Sequence, residues 1–370
     1  MSEKLLFLSG LAPWCGKRVA KSVVAIPVRD EADRIGACLA ALNAQIRPPD
    51  AVVLLLNNST DTTETIARGM RLHLRFSLDI TSVALPPAQA SAGHARRLAM
   101  QSAADQVGDD GILLTTDADA IVPPDWVVRN LHALDKQTDI VCGQAVIDPV
   151  EAALIPAHLH EDDARESHLI ALLDMLAWML DPEPHDPMPR HTEASGASLA
   201  VRVDAFRRAG GIPNIRSGED RAFVRALWMS DARVRHDPTI QVVVSGRIIG
   251  RAEGGMADAM RRRMVQQDEF TDEQIEPGAD AFRRYVLRAR ARRVWSGMPE
   301  PSLAADLALS PKCLSGCVAR PAFGSMWAAL EARSPVLQRR RVRFTDLARE
   351  IVAAEALLRH AAVPEILAAD

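Results

Sequence analysis

Short apolar runs alternate with amphipathic stretches over the first 250 residues. Ser22–Pro27, Ala51–Leu56 and Gly111–Thr116 are apolar almost throughout and rich in β-branched or leucine side chains. Leu78–Leu85 is a weaker run, and Asp139–Val146 closes the series. Runs of this length without polar alternation predict strands covered on both faces. Between them the period changes to that of a helix: from about Glu31, Ile35, Leu39 and Leu42 share one face, and Gly93–Ala104 and about Asp125–Asp135 also read as helical. Asp61-Thr-Thr-Glu64 has the form of a capping box after the turn Asn57–Thr60. The alternation predicts an α/β domain with a mostly parallel sheet. Ligands of such sheets collect at the carboxyl ends of the strands. Asp30, Asp61 and the pair Asp117/Asp119 each follow such an end.

From Glu151 the pattern changes. Residues 161–180 form an amphipathic helix, and Pro182, Pro184, Pro187 and Pro189 predict a loop. Ala194–Val201 reads as a strand of small residues, and a helix from Val203 ends at Gly210-Gly211. Ser217-Gly-Glu-Asp220 opens another helix, Ile240–Val244 is the last clear strand, and beyond about residue 255 only helical patterns remain. The expected division is an arm (1–21), an α/β domain (22–254) and a helical extension (255–370).

The formal charge of −4 over 370 residues argues against a protein that coats nucleic acid. Five cysteines, odd in number and mostly isolated, suit a reduced protein better than a disulfide framework. Cys313 and Cys317 have no second pair to complete a zinc site. The apolar stretch at the N-terminus is too short for a convincing signal peptide. Leu169–Leu180 contains Asp174 and falls short of the ~20 residues of a membrane span. A soluble, cytoplasmic protein without an integral membrane segment is expected, with peripheral contact at the membrane face left open.

Candidate chemistry centres on Asp117-Ala-Asp119, where a buried strand runs out. Two carboxylates there can hold Mg²⁺ or Mn²⁺ against a phosphorylated ligand. Phosphate loops are excluded: Gly10–Lys17 has the wrong spacing for a Walker A loop and ends in Arg18, and no G-x-G-x-x-G follows the first strand. Asp61 can serve as helix cap, ligand contact or both. Asp220, beside Glu219 at a helix start, can act as a general base. Arg247 and Arg251 follow the last strand and can recognise phosphate oxygens. Five of the ten histidines fall in 158–191, where an exposed loop without a ligand role is expected and a second metal or an acceptor-binding role is the alternative.

The ordered set Ala25-Ile-Pro-Val-Arg-Asp-Glu31, Asn57-Asn-Ser-Thr-Asp61, Gly93-His-Ala-Arg96, Asp117-Ala-Asp119, Gly196-Ala-Ser-Leu-Ala-Val-Arg202 and Gly218-Glu-Asp220 resembles the family 2 glycosyltransferases, inverting enzymes of the GT-A fold. The resemblance implies that Pro27, Arg29 and Glu31 line a nucleotide pocket, that Asp61 contacts base or ribose, and that Arg96 lies near the nucleotide. It implies ribose and metal contacts for Asp117 and Asp119, the latter the more direct metal ligand. Asp220 would be the base, with Glu219 beside it, and Arg247 and Arg251 would lie near the leaving diphosphate. The implied partners are a nucleoside-diphosphate sugar donor and a small-molecule or lipid-linked acceptor. Asp30 stands where many members have asparagine, and the late Q-x-x-R-W signature of processive synthases is absent, which favours single sugar transfer. The helices beyond 255 lie outside the resemblance, with acceptor lid, homo-oligomer surface and membrane contact left as alternative roles. A sugar-phosphate nucleotidyltransferase and a non-catalytic nucleotide-sugar-binding protein are the competing readings.

Overall fold

The computed structural model describes residues 20–134, 137–247 and 256–367. Its centre is a seven-stranded sheet of β1 (Ser22–Val28), β2 (Ala51–Asn57), β3 (Ser77–Val83), β4 (Ile112–Thr115), β5 (Ile140–Ile147), β6 (Leu199–Arg202) and β7 (Val234–Val244), in the spatial order β3-β2-β1-β4-β6-β5-β7. β6 pairs antiparallel with both β4 and β5, and every other pairing is parallel. This is the α/β class with a mostly parallel sheet followed by helices that the apolar runs predict.

One reversed strand has a direct consequence. The carboxyl ends of β1, β2, β4, β5 and β7 and the amino end of β6 lie along one edge of the sheet. Strand order reverses between β1 and β4, the kind of switch point where open α/β sheets bind ligands.

Alternation along the strands builds two cores. Val24, Ile26 and Val28 of β1 pack with Ile35, Leu39 and Leu42 of α1 (Ile35–Asn43) and with Trp126 of α4 (Trp126–Ala133). α2 (Thr63–Met70) joins that face through Ala67. Val23 and Ala25 face α3 (Ala92–Val107), whose Ala95, Ala99 and Ala103 allow it to lie close to the sheet. α5 (Pro149–Ala152) and α6 (Ala157–Leu180) follow β5. α7 (Val203–Arg208) and α8 (Glu219–Met229) complete the second core through Phe206, Phe223 and Leu227.

The C-terminal helices are α9 (Met256–Val265), α10 (Gly278–Trp295), α11 (Leu303–Asp306), α12 (Pro311–Val318), α13 (Phe323–Arg333) and α14 (Leu347–Leu367). They do not form a detached bundle. Leu169, Leu173 and Leu176 of α6 share a core with Ala281 of α10 and Leu347 and Ala354 of α14. Trp228 of α8 packs on the cluster formed by α10 and α13. No helix among the described residues is long and apolar enough to cross a membrane.

Several boundaries differ from expectation. α6 begins at Ala157 rather than 161, because Pro156 ends the preceding turn and stands at its N-cap. β7 begins at Val234, six residues early, extending beside β5. The strand expected over 194–201 is confined to Leu199–Arg202. Its small residues serve close packing at the site instead.

Asp231 joins the two regions. It sits in the left-handed region at φ 56° and accepts the N–H groups of Phe323 and Gly324 at 2.9 Å each, closing the N-terminus of α13. Asp231→Ala is expected to lower unfolding free energy by about 1–2 kcal/mol, and Asp231→Asn by less, measured by chemical denaturation.

Candidate active site

The loops after β1 and β2 lock together through short polar side chains. Asp30 adopts φ 51°. Its Oδ1 accepts the N–H groups of Thr60 (2.7 Å) and Asp61 (3.3 Å), while its own N–H donates to Ser59 Oγ at 3.1 Å. Asp61 Oδ2 accepts the Ala32 N–H at 3.0 Å and Oδ1 accepts the Thr63 N–H at 3.0 Å. Thr63 Oγ1 accepts the Glu31 N–H at 2.8 Å. The expected capping box is not formed: Thr62 is the N-cap of α2 and makes no side-chain cap bond. Glu64 instead accepts from Ser82 Oγ (2.6 Å) and Arg68 Nε (2.8 Å), and the Asp61 N–H that the box would give it donates to Asp30 Oδ1. Pro27 is half-buried near the end of β1, and Arg29 Nη1 donates to the Ala90 carbonyl at 3.3 Å.

Beyond β4 the organising group is Arg96, which is 5 % exposed. Its Nη1 donates to Thr115 Oγ1 (2.8 Å) and the Gly196 carbonyl (3.0 Å), Nη2 to Asp117 Oδ1 (2.6 Å) and Nε to Glu219 Oε1 (3.0 Å). Burial alone would push its pKa down, but Asp117, Glu219 and Asp220 carry it above the ordinary arginine value. Asp220 is held next to this cluster: Oδ2 accepts the Gly196 N–H at 3.0 Å and Oδ1 its neighbour's, Arg221, at 2.8 Å. A Cβ on Gly196 would lie 2.5 Å from the Arg96 guanidinium carbon, and one on Gly93 would meet the Ile215 carbonyl and the Glu219 carboxylate. Both glycines are therefore required by close approach.

A second arginine serves the other half. Arg247, after β7, pairs both nitrogens with Glu31 (2.9 and 2.6 Å) and reaches Asp119 Oδ2 at 3.1 Å. Glu151 steadies this segment, accepting from Ser245 Oγ (2.9 Å) and the Gly246 N–H (2.5 Å) and pairing with Arg34. Arg251 lies outside the described residues. Thus two groups lie over one edge of the sheet: Arg96 gathers Asp117, Glu219 and, through Gly196, Asp220, while Arg247 gathers Asp119 and Glu31, and Glu31 is tied to Asp61 through Thr63; the chain segment Asp117-Ala-Asp119 connects them. Arg96 and Arg247 contact protein carboxylates.

Burial, with Asp117 and Glu31 close by, raises the Asp119 carboxyl to about 6 although Arg247 opposes the shift. Cys38 lies beneath, donating to the Asp117 carbonyl at 3.5 Å, and its thiol is pushed strongly upward by burial and these carboxylates. Among the described residues no cluster of three or more His, Cys, Asp or Glu could hold a metal by itself. The carboxylate pair Asp117/Asp119 nevertheless has the oxygen chemistry of a Mg²⁺ or Mn²⁺ site completed by ligand phosphates and water.

Thr115 and Glu151 are site residues outside the sequence motifs, and Gly196 opens one of them without a side chain to mark its role. Glu151 carries no sequence signal, standing in a one-turn helix; Thr115 reads as one more strand residue. The expected histidine loop is corrected: His158, His160 and His168 lie on α6, whose leucine face docks on α14. His191, lowered to about 4 by burial and by His236, leaves Nε2 buried without a partner. The described cysteines are free.

The Asp119 shift sets a stability test. The carboxyl titrates at 3.8 ordinarily and about 6 in the folded protein. The native state therefore binds more protons between these values, and the ionised carboxylate lowers stability, fully so above pH about 6. Asp119→Asn is expected to melt above the unsubstituted protein at about pH 7.5, with the difference shrinking toward about pH 4. A lower melting point at the higher pH would contradict the crowding described here.

Residues 23–185 match the family model described as Glycosyl transferase family 2. No curated protein matches the chain. Among solved structures, the mannosyltransferase PcManGT from Pyrobaculum calidifontis, in complex with GDP-Man and Mn²⁺, is 20% identical with a TM-score of 0.47, covering 92% of this chain and 87% of that one. S. aureus TarS 1–349 with UDP is 14% identical at 0.44, covering 84% and 90%. Glucosyl-3-phosphoglycerate synthase from Mycobacterium tuberculosis is 16% identical at 0.40, covering 76% and 82%. On the family match, joined to the ordered motifs and the sheet that carries them, residues 23–185 form a glycosyl transferase family 2 domain.

Proposed function

We propose that this glycosyltransferase is an inverting, non-processive enzyme that moves a sugar from a nucleoside-diphosphate sugar to an acceptor hydroxyl. The supporting observation is the shared edge of the sheet on which Asp117 and Glu219 bind one arginine while Asp119 and Glu31 bind another. Residues 22–254 would form the catalytic domain and 255–370 a helical extension beside it.

The nucleotide would lie against Pro27, Arg29, Glu31 and Asp61, over the locked β1 and β2 loops. Asp117 and Asp119 would hold Mg²⁺ or Mn²⁺, which supplies charge neutralisation for the diphosphate. Arg247 neutralises Glu31 and Asp119, and a diphosphate offers its guanidinium competing oxygens of the same sign. Arg96 is a positioning residue: enclosed by protein, it sets the orientation of Asp117 and Glu219. Glu219 is likewise buried and paired. That leaves half-buried Asp220 as the base. Each of its oxygens accepts one backbone N–H and keeps lone-pair capacity for an acceptor hydroxyl. The base takes the hydroxyl proton as that oxygen bonds to the anomeric carbon and the bond to the diphosphate breaks, with inversion.

Asp220→Asn is expected to reduce turnover by about 10²–10⁴-fold while donor binding stays within about twofold, since the amide can still accept from Gly196. Sugar transfer by purified variant and unsubstituted protein, with donor binding by calorimetry, checks this. Unchanged turnover removes the base assignment.

A further inference from the structure

Away from the strand ends, the walls of a cavity of about 230 Å³ come from α6, α8, α10, α13 and the segments after α6 and after α13. Charged groups dominate it, and most are already satisfied. Arg190 binds Asp174 (2.6 Å) and Asp186 (3.3 Å). Arg284 binds Glu276, Glu331 and the Leu337 carbonyl, each within 2.9 Å. Arg288 binds Asp181 at 2.6 Å and also Glu183, and its guanidinium lies over the Trp228 ring. Every carboxylate lining the cavity is thus matched by an arginine.

Donors are left over. Arg225 reaches only Glu331, at 3.8 Å, beyond hydrogen-bond length, and its side chain is 61 % exposed. Arg339 makes one long bond to the Gln274 carbonyl (3.3 Å) and lies 3.5 Å from Glu276, 46 % exposed. The Tyr285 hydroxyl, also lining the cavity, has no hydrogen-bond partner among the described residues. Two incompletely bonded guanidiniums and a phenol offer donors, and five lining arginines (Arg190, Arg225, Arg284, Arg288 and Arg339) outnumber the four lining carboxylates (Asp174, Asp181, Glu183 and Glu331), which leaves the cavity with excess positive charge. That complement selects an anion. A phosphoryl group, with three terminal oxygens, can meet all three donors, whereas a carboxylate has two.

We propose that this cavity binds the phosphoryl group of a small polar metabolite at a site separate from the strand-end carboxylates. The site borders the machinery without sharing it. Glu219, Phe223 and Leu227 on the inner face of α8 are buried, while Arg225 and Trp228 on its other side line the cavity. The inference does not rest on the glycosyl-transfer reading.

Calorimetry with inorganic phosphate, glucose 6-phosphate and citrate tests it on the full chain. Saturable binding of the two phosphate compounds is expected, tighter than citrate. It should weaken at least tenfold in the double variant Arg225→Gln/Arg339→Gln and at least threefold in Tyr285→Phe, which keeps the ring and guards against misfolding of the double variant. Asp119→Asn should bind like the unsubstituted protein. The proposal is overturned by absence of phosphate binding, by stronger citrate binding, by full binding in the folded cavity variants, or by loss of binding in Asp119→Asn.

Discussion

A buried guanidinium is the constraint on which the site depends. Removing a charge from water is costly unless partners surround it. Arg96 has them from three directions: the end of β4, the carbonyl of Gly196 and the first turn of α8. Because each partner belongs to a different segment, satisfying the charge also sets the spacing of those segments. Asp117 and Glu219 are oriented by the same group, and Asp220 follows through the Gly196 amide. The glycines at 93 and 196 belong to this constraint, since side chains there would displace the backbone or the guanidinium.

The reversed strand makes the arrangement reachable. In a wholly parallel sheet the segment before β6 would enter from the opposite edge. Running β6 against its neighbours brings Gly196 to the edge where the carboxyl ends of β1, β2 and β4 already lie. Crowding of Glu31, Asp117 and Asp119 is then the electrostatic cost of bringing these loops to one edge. Arg247 offsets it only in part, as the raised Asp119 carboxyl records.

Much of this was legible in the chain because it is local. Apolar runs mark strands, and the acids Asp30, Asp61, Asp117 and Asp119 fall just past them. What pattern could not supply was partnership between distant segments. The resemblance places Arg96 near the nucleotide but does not show that it is buried among partners up to 123 positions away. Glu151 is invisible for the same reason. The 194–198 stretch has the composition of a strand, yet its small residues serve approach to Arg96. Asp61 shows the same limit: its Oδ1 bonds the Thr63 N–H at the start of α2, as local sequence suggests, while the Ala32 partner of Oδ2 in the β1 loop is not legible. The C-terminal helices show their period in sequence, but not that α6 and α8 are their packing partners.

The central claim is that these converging carboxylates form a nucleotide-sugar site. A thermal-shift screen of UDP-, GDP-, ADP- and dTDP-sugars, with and without Mn²⁺, tests it most directly, because a ligand that binds the folded state raises the melting point by mass action. The account predicts that at least one donor raises it saturably, and more so with Mn²⁺. No shift with any donor under either condition would contradict it.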